Sequence, residues 1–264
     1  MAEDELRATV GEESLAAASA RGRWHAEYVG RSYRSAVERA LARRRNRTRT
    51  VLKTDLWNEA LGGARDVAGH FHEKLGVRFV GIDIALEVCA LARVLVPPVR
   101  VVQADIRALP FRSGSFDAVL DLSTLDHLPE AGAAQAIAEY RRVLHVGGVL
   151  LLVFWQRSLL LARRLALKRL LGRREKTGQH YFNRADVRAM LGEGLAVFEE
   201  FVCGALLVLP HALTGFLLGR MPERAQAGLL RWVMRLERSA GALPVLKHLA
   251  GLYGIAALRQ PTVS

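Results

Sequence analysis

Residues 104–128 read ADIRALPFRSGSFDAVLDLSTLDHL, and this stretch decides the fold because it leads through a turn-rich connection into an apolar strand. The run Phe116–Ser123 predicts that strand, a helical pattern follows over 130–143, and a further apolar run occupies 148–155. Strands that alternate with helices in this way are typical of a parallel sheet covered by helices on both faces.

The same alternation extends outward in both directions. Three strands are predicted before this stretch and two after it, at residues 50–55, 78–84, 100–106, 196–202 and 254–260. Helices are predicted at 64–75 and from the second strand through Arg93. The expected fold class is therefore α/β, with a seven-stranded, mostly parallel sheet that ends in a hairpin-like excursion.

Two segments do not fit this core pattern. Residues 1–48 predict a helical arm, because apolar residues recur at three- and four-residue spacing: Trp24, Tyr28, Val29, Tyr33, Val37 and Leu41.

The remaining 49–264 form the predicted main domain, with a helical insertion at about 156–250. Within it, residues 203–219 carry no formal charge if His211 is neutral, but Pro210 interrupts them. We expect a buried or interfacial helix pair there rather than a membrane span.

The chain is strongly basic, with a formal net charge of +12 among 264 residues. Most of the excess lies in residues 39–49 and 163–174, a distribution compatible with phosphate-rich partners, an anionic membrane surface or simply solvated helix faces. Neither run carries the interleaved aromatic residues of a base-stacking surface, so nucleic acid is not the favoured partner. The oligomeric state stays open.

Cysteine spacing and the N-terminal sequence predict the compartment. Cys89 and Cys203 match neither a CxxC motif nor a metal-ligand spacing, so we expect two reduced core residues and no metal site. The first 23 residues lack the apolar region of a signal peptide. A cytoplasmic protein is expected, with peripheral membrane contact as an extension of that expectation.

Motif absences exclude three classes that use similar sheets. The chain has no G-x-G-x-x-G after the first strand, which a nicotinamide-dependent dehydrogenase needs for the pyrophosphate. It also lacks the phosphate-binding loop of nucleoside triphosphatases and the G-x-S-x-G turn of α/β-hydrolases.

Aspartates stand at the ends of four predicted strands: Asp55, Asp83, Asp105 and Asp121. Ligands of such sheets bind beyond the carboxyl ends of the strands. Asp83 is placed to accept both ribose hydroxyls of an adenosine, while Asp105 and the amide of Ile106 suit the adenine edge. Ile84, Leu122 and Ser123, at the ends of the second and fourth strands, complete that part of the predicted cofactor-binding set.

The stretch 104–128, together with EYRRVLHVGGVLLLVF at 139–154, resembles the class I S-adenosylmethionine-dependent methyltransferases of the small-molecule type. The resemblance rests on Asp105, Leu109-Pro110-Phe111, Ser115-Phe116-Asp117, His127-Leu128 and Arg142-Val143-Leu144 running to Gly147-Gly148. It covers about residues 47–155. It implies a Rossmann-like fold with an antiparallel last strand, bound S-adenosylmethionine and methyl transfer to a nucleophilic atom.

The turn after the first strand departs from that family, which usually has an acidic residue and Gly-x-Gly-x-Gly there. Here residues 53–57 read KTDLW, as in a subset of methyltransferase-like sequences that share a KTDLF-x-EA turn and STLDH. We expect Asp55 and Thr54 to meet the cofactor's ammonium through their side chains, with Glu59 at the start of a short helix. The alternatives are that Lys53 is the partner of Asp55, or that the turn is filled and the cofactor lost.

His127 is the predicted general base, because it follows the fourth strand and its ordinary pKa suits proton transfer near neutral pH. Asp126 is predicted to orient His127 or to act in its place. An equally weighted alternative is that His127 caps the next helix or packs under it. A further alternative is that no dedicated base is needed, because alignment of the nucleophile, the methyl group and the sulfur is sufficient for methyl transfer. Acceptor-pocket candidates are Tyr28, Tyr33, His180 and Tyr181.

Three functions follow from these observations. The first is a methyltransferase for a small hydrophobic or lipid-like acceptor, with the basic helix around Leu159–Leu171 in peripheral contact with an anionic membrane. The second is a binding or scaffold protein that keeps the fold without catalysis. The third is an RNA methyltransferase, which charge alone supports.

Overall fold

The chain folds around one seven-stranded sheet in the computed structural model, which describes residues 20–42, 44, 48–61, 66–170, 178–203, 221–240 and 251–261. The strands are β1 (Thr50–Thr54), β2 (Arg78–Asp83), β3 (Arg100–Gln103), β4 (Phe116–Leu122), β5 (Leu144–Trp155), β6 (Leu195–Cys203) and β7 (Leu252–Arg259). Their order is β3-β2-β1-β4-β5-β7-β6. Strands β1 to β5 pair in parallel, and β7 runs antiparallel to both of its neighbours. The predicted sheet is therefore confirmed, including its two final strands.

Helices connect these strands and flank the sheet. Within the described ranges they are α1 (Ala20–Ala42), α2 (Trp57–Leu61), α3 (Ala68–Leu75), α4 (Leu86–Leu95), α5 (Glu130–Val143), α6 (Leu159–Leu170), α7 (Arg184–Leu191) and α8 (Glu223–Ala240). A single 3-10 turn covers Leu125–His127. Helix α5 has its predicted bounds, whereas α3 begins four residues later than the predicted helix at 64–75, of which 64 and 65 lie outside the described residues.

Alternate side chains of each central strand enter two different cores. In β4, Leu120 and Leu122 pack with residues of α1, α3 and α8, while Val119 packs with residues of α5 and α7. A strand that is buried on both faces needs a nearly continuous apolar sequence, and FDAVLDL supplies one. This explains why the sheet is covered by helices on both sides.

Helix α1 anchors the predicted arm to the first of these cores. Its Tyr28, Tyr33, Val37 and Leu41 side chains are all buried there. The side chain of Trp24 lies outside the described residues. The division of the chain at residue 48 stays a prediction.

Several predictions about the remaining segments have different outcomes. Cys89 and Cys203 are buried free thiols, as predicted. Residues 204–219 of the uncharged segment lie outside the described part of the chain, so the predicted helix pair is not described. Among the helices that the structure does describe, none has both the length and the hydrophobicity needed to cross a membrane.

The strand order places a ligand crevice at one edge of the sheet. Strands β2 and β3 lie successively on one side of β1. Strand β4 lies on the other side of β1, with Thr54 paired to Asp121. The strand order therefore reverses between β1 and β4. Ligands of open α/β sheets bind beyond the carboxyl ends at such a reversal.

Candidate functional site

A cleft of about 480 Å³ lies at this reversal point. It is lined by Asp55, Trp57, Ile82, Asp83, Ile84, Ala85, Val88, Ala104, Asp105, Ile106, Arg107, Thr124, His127 and Leu128. The lining combines apolar walls with a few converging polar groups, as small-molecule sites do. Six of the ten predicted site residues therefore meet in one cavity: Asp55, Asp83, Ile84, Asp105, Ile106 and His127.

The four strand-end aspartates share one local structure. The Oδ1 atom of each accepts a hydrogen bond from a backbone N–H two or three residues later, at 2.7–2.9 Å, the donors being Trp57, Ala85, Arg107 and Thr124 for Asp55, Asp83, Asp105 and Asp121. Aspartate side chains commonly stabilise turns in this way. The contacts of the second carboxylate oxygen, Oδ2, therefore determine whether each aspartate can also bind a ligand.

The turn after β1 is built without glycine. Asp55 has a φ of 61°, in the left-handed region that aspartate tolerates better than most residues. The next side chain, Leu56, packs over Gly81 of β2, where an added Cβ would come within 2.4 Å of Leu56 Cδ2. The small residue required by this close approach is thus on the neighbouring strand rather than in the turn.

Lys53 stabilises this turn from beneath. Its Nζ lies 2.9 Å from Glu59 Oε2 and also donates to the backbone carbonyls of Thr54 and Asp55. Both side chains of the ion pair have no exposed surface. Burial disfavours the charged amine, but the carboxylates of Glu59 and Asp55 outweigh that effect and raise the pKa of Lys53.

Glu59 therefore has a different role from the predicted one. It lies in the first turn of α2, as expected, but its Oε1 accepts hydrogen bonds from Val67 and Ala68 at the start of α3. It also supplies the salt-bridge partner of Lys53, which the sequence assigned as an alternative partner of Asp55. Asp55 interacts with Lys53 electrostatically, without a salt bridge among the described contacts.

Among the four strand-end aspartates, Asp55 has the fewest described hydrogen bonds. The described hydrogen bonds to it come from Trp57 N–H, at Oδ1, whereas Oδ2 has no described donor. Burial raises the pKa of the Asp55 carboxyl to about 7, with Lys53 opposing the shift and Asp83 adding to it. A desolvated carboxylate that faces a cleft suits a cationic ligand group, because such a partner favours the ionised form.

Asp83 holds the turns of both β1 and β2. Its Oδ2 accepts a hydrogen bond from Leu56 N–H at 2.9 Å, while Oδ1 binds Ala85 N–H. Each carboxylate oxygen can accept more than one hydrogen bond, so both retain acceptor capacity toward the cleft. The adjacent Ile84 side chain is 63% exposed and forms part of the wall.

Asp105 is clamped by a neighbour that sequence reasoning missed. Arg107 donates to both of its oxygens through Nε and Nη2, over distances of 2.6–3.0 Å. These hydrogen bonds hold the pKa of the Asp105 carboxyl below its ordinary value. Ile106 lies between the two and is buried against the second core. The position of Arg107, two residues after Asp105, was the feature of the sequence that could have identified it as a partner of that carboxylate.

The turn after β4 directs one predicted residue to the cleft and the others away from it. Asp121 is fully satisfied, with its Oδ2 accepting from the Tyr140 hydroxyl at 2.8 Å. Asp126 has no exposed surface and accepts from the Ser123 hydroxyl and from Trp155 N–H. Burial raises its pKa to about 8.

His127, in contrast, lines the cleft. Burial lowers the pKa of its imidazole, which keeps the ring neutral near pH 7. The Asp126 carboxylate hydrogen-bonds Ser123 and Trp155 instead of His127, so the predicted orienting contact is absent among the described hydrogen bonds. Thr54, Leu122 and Ser123 also lie outside the lining; Thr54 is buried and bonds the hydroxyl of Thr124, which does line it.

A second cavity of about 460 Å³ adjoins the same edge of the sheet. It is lined by Arg157, Leu161, Ala162, Leu165, Ala166, Gln179, His180 and Tyr181. The His180 N–H donates to the carbonyl of Asp126, which precedes His127 in the 3-10 turn, and His180 also lowers the pKa of His127. Of the four acceptor-pocket candidates, His180 and Tyr181 thus line a cavity, whereas Tyr28 and Tyr33 are buried.

Comparison with known families confirms the predicted class. A family model described as a methyltransferase domain matches residues 62–152, which include β2 to β4, most of β5 and most of the residues that line the cleft. None of the curated protein sequences matches the chain. Residues 62–152 are therefore similar to a methyltransferase domain.

Solved structures share the fold at low identity. The magnesium protoporphyrin IX methyltransferase of Synechocystis PCC 6803, with bound S-adenosylhomocysteine, is 17% identical with a TM-score of 0.56, over 88% of this chain and 84% of that one. The geranyl diphosphate C-methyltransferase of Streptomyces coelicolor A3(2) is 16% identical, with a TM-score of 0.54 over 85% and 80%. The [4+2]-cyclase SpnF is 19% identical, with a TM-score of 0.51 over 86% and 80%. Likeness at these identities shows the Rossmann-like fold.

Proposed function

We propose that this protein is an S-adenosylmethionine-dependent methyltransferase that acts on a small acceptor with an apolar part. The observation that carries the proposal is the convergence of Asp55, Asp83 and Asp105 on one cleft at the carboxyl ends of three neighbouring strands. The family match supports this enzyme class, and the neighbours with S-adenosylhomocysteine support the cofactor.

The residues of the cleft fit the parts of that cofactor. Asp55, whose Oδ2 accepts none of the described hydrogen bonds and whose carboxyl is largely desolvated, suits the ammonium group. Asp83 suits the ribose hydroxyls, because both oxygens retain acceptor capacity. Asp105 and Ile106 suit adenine, provided that the Arg107 side chain, which is 44% exposed, leaves Asp105. When bound, the cofactor supplies an electrophilic methyl group on a sulfonium.

His127 is proposed to receive the proton that the acceptor loses. Its ring lines the cleft and is kept neutral by burial, so Nδ1 or Nε2 is available as an acceptor. The bound cofactor would supply the methyl group and keep the sulfur electron pair, and His127 would take up the proton that the methylated acceptor releases. Asp126 supports His127 indirectly, by fixing the turn through Ser123 and Trp155.

The second cavity is the proposed acceptor site. Leu161 and Leu165 supply an apolar wall, Arg157 supplies a polar group, and His180 supplies another beside the turn that carries His127. This division suits a molecule with a polar reacting end and an apolar remainder. Two of the neighbours act on molecules of that broad kind, a prenyl diphosphate and a porphyrin.

A second candidate keeps the fold and omits methyl transfer. The [4+2]-cyclase shows that proteins of this architecture include a catalyst of a different reaction. The atypical turn at Asp55 favours the same alternative, since it replaces the glycines of the family pattern. Binding of the cofactor without release of S-adenosylhomocysteine in the presence of candidate acceptors would favour this second function.

Calorimetric titration with S-adenosylhomocysteine tests the first function. Asp83→Ala should lower the affinity at least about tenfold, because hydrogen bonds to a charged group contribute about 1.5–3 kcal/mol. The matched control is Asp117→Ala at the amino end of β4, where Oδ2 likewise accepts two backbone N–H bonds, from Arg49 and Thr50. Absence of binding by the parent protein, or equal affinities in the two variants, would contradict the assignment.

A further inference from the structure

Helix α6 forms one wall of the acceptor cavity and carries exposed leucine and alanine side chains. Leu159 is 56% exposed and Leu170 is 83% exposed, and between them Ala162, Arg163 and Ala166 are exposed as well. Residues three and four positions apart share one side of a helix, so these five form a single stripe. We call them the α6 stripe.

The side of α6 next to the α6 stripe faces the cavity. Leu161 is buried and Leu165 is partly buried, and both line the cavity together with Ala162 and Ala166. The two alanines therefore belong both to the cavity wall and to the α6 stripe. An apolar molecule that reaches the stripe can pass along these small side chains into the cavity without crossing water.

The sequence around α6 indicates what covers the stripe. Between Arg157 and Arg174 the chain has seven basic residues and no acidic one. Arg163 lies within the stripe and Arg157 lines the cavity, and both are exposed. A helix with exposed leucines among basic residues is suited to the interface of an anionic bilayer, where the leucines enter the acyl boundary and the basic groups meet the lipid phosphates.

We propose that the α6 stripe docks on an anionic membrane and that the acceptor reaches the cavity laterally from the lipid phase. The acceptor class would then be a membrane-partitioned amphiphile, with its apolar part along Leu161 and Leu165 and its polar end toward His180. This inference rests on the proposed methyltransferase function and specifies where its acceptor comes from.

Flotation with vesicles tests the docking step. The full-length chain should bind vesicles of phosphatidylcholine with phosphatidylglycerol and bind phosphatidylcholine alone much more weakly. Leu159→Ser with Leu170→Ser should lower that binding at least about tenfold, because two side chains leave the acyl boundary. The control is Val94→Ser with Leu95→Ser, two α4 side chains that are 75% and 51% exposed and lie outside both cavities. Equal loss in both double variants, or no binding by the parent, would overturn the proposal.

Titration with decanoate tests lateral entry into the cavity. Ala166→Trp fills the cavity from an exposed position that tolerates a larger side chain, so it should abolish decanoate binding while S-adenosylhomocysteine binding stays at the parent value. Unchanged decanoate affinity in this variant would refute the cavity's role. If the parent binds S-adenosylhomocysteine but not anionic vesicles, the membrane inference fails and the methyltransferase proposal stands. If the parent does not bind S-adenosylhomocysteine, the methyltransferase proposal itself fails.

Discussion

The turns that follow β1 and β4 use similar residues for different purposes. Each contains a non-glycine residue with positive φ, Asp55 at 61° and Ser123 at 75°, and each contains an aspartate whose pKa burial raises, Asp55 to about 7 and Asp126 to about 8. Asp126, however, is enclosed and hydrogen-bonded at both oxygens, whereas Asp55 opens on the cleft and its Oδ2 has no donor among the described residues. Hydrogen-bond satisfaction, rather than residue type or pKa, separates a structural aspartate from one available to a ligand.

The largest expected effect concerns the support of the β1 turn. Lys53→Met should lower the free energy of unfolding by about 3–5 kcal/mol, because it leaves the buried Glu59 carboxylate without its partner. Urea unfolding of the protein without ligand measures this. Lys74→Met is the control, since its pair with Glu38 is 44% exposed on both sides and should change stability by about 1 kcal/mol or less. Similar values for the two variants would contradict the stabilising role assigned to the buried Lys53–Glu59 pair.

Asp55→Asn and Asp126→Asn sharpen the comparison directly. Asparagine tolerates the left-handed backbone and retains the bond to Trp57, so Asp55→Asn should melt like the parent but bind S-adenosylmethionine at least about tenfold more weakly. Asp126→Asn should leave that affinity unchanged, because its carboxyl lies outside the cleft lining. Thermal melts with and without the cofactor measure both effects. Loss of affinity in Asp126→Asn alone would reverse the assignment of the two turns.

The pH dependence of cofactor binding should follow Asp55. Its pKa in the folded protein, about 7, lies above the ordinary value, so the ligand-free protein loses stability as the pH rises from about 4 to 7. A cationic ligand group needs the ionised form, so affinity should rise roughly tenfold from about pH 6 to pH 8. Calorimetry across this range checks the slope, and Asp55→Asn should flatten it. An unchanged slope in that variant would assign the titration to another group, such as His127.

The smallest expected effect belongs to Arg107. Its bonds to Asp105 are partly exposed, so Arg107→Ala should change cofactor affinity by less than about fivefold. The expected direction is tighter binding, since Asp105 no longer has to exchange Arg107 for adenine. Parallel titrations of Arg107→Ala and Arg112→Ala measure this, with exposed Arg112 as the control outside the cleft lining. Weaker binding would instead mean that Arg107 itself contacts the ligand.

The strands and helices of this chain were largely predictable because their apolar patterns are continuous. Helix α5 has its predicted bounds, and all seven strands lie within a few residues of the predicted ones. Strand β5 begins at Leu144, whereas the apolar run predicted a strand only from 148, after Gly147. In the structure Gly147 and Gly148 lie where the pairing with β4 shifts register.

The site was predictable only where strand position alone determines it. Asp83 ends β2 and Asp105 follows β3 by two residues, and both line the cleft as their positions indicated. The different environments of Asp126 and His127 depend on the orientation of a three-residue 3-10 turn, which residue identity does not specify. The pairing of Lys53 with Glu59 depends on the path of the chain between β1 and α2, and residue identity does not specify that path either.

The position of β7 affects how the protein is made. β7 follows β6 along the chain yet lies between β5 and β6, so neither partner is paired on that side until β7 arrives. During translation the 96 residues between Trp155 and Leu252 take roughly 5–20 s to synthesise at typical rates of about 5–20 residues per second. During that time the backbone N–H and C=O groups of β5 that later pair with β7 have no β7 partner, and they lie along an apolar strand. Such edges aggregate readily, so the yield of folded protein should depend on how well chaperones cover this edge until synthesis reaches β7.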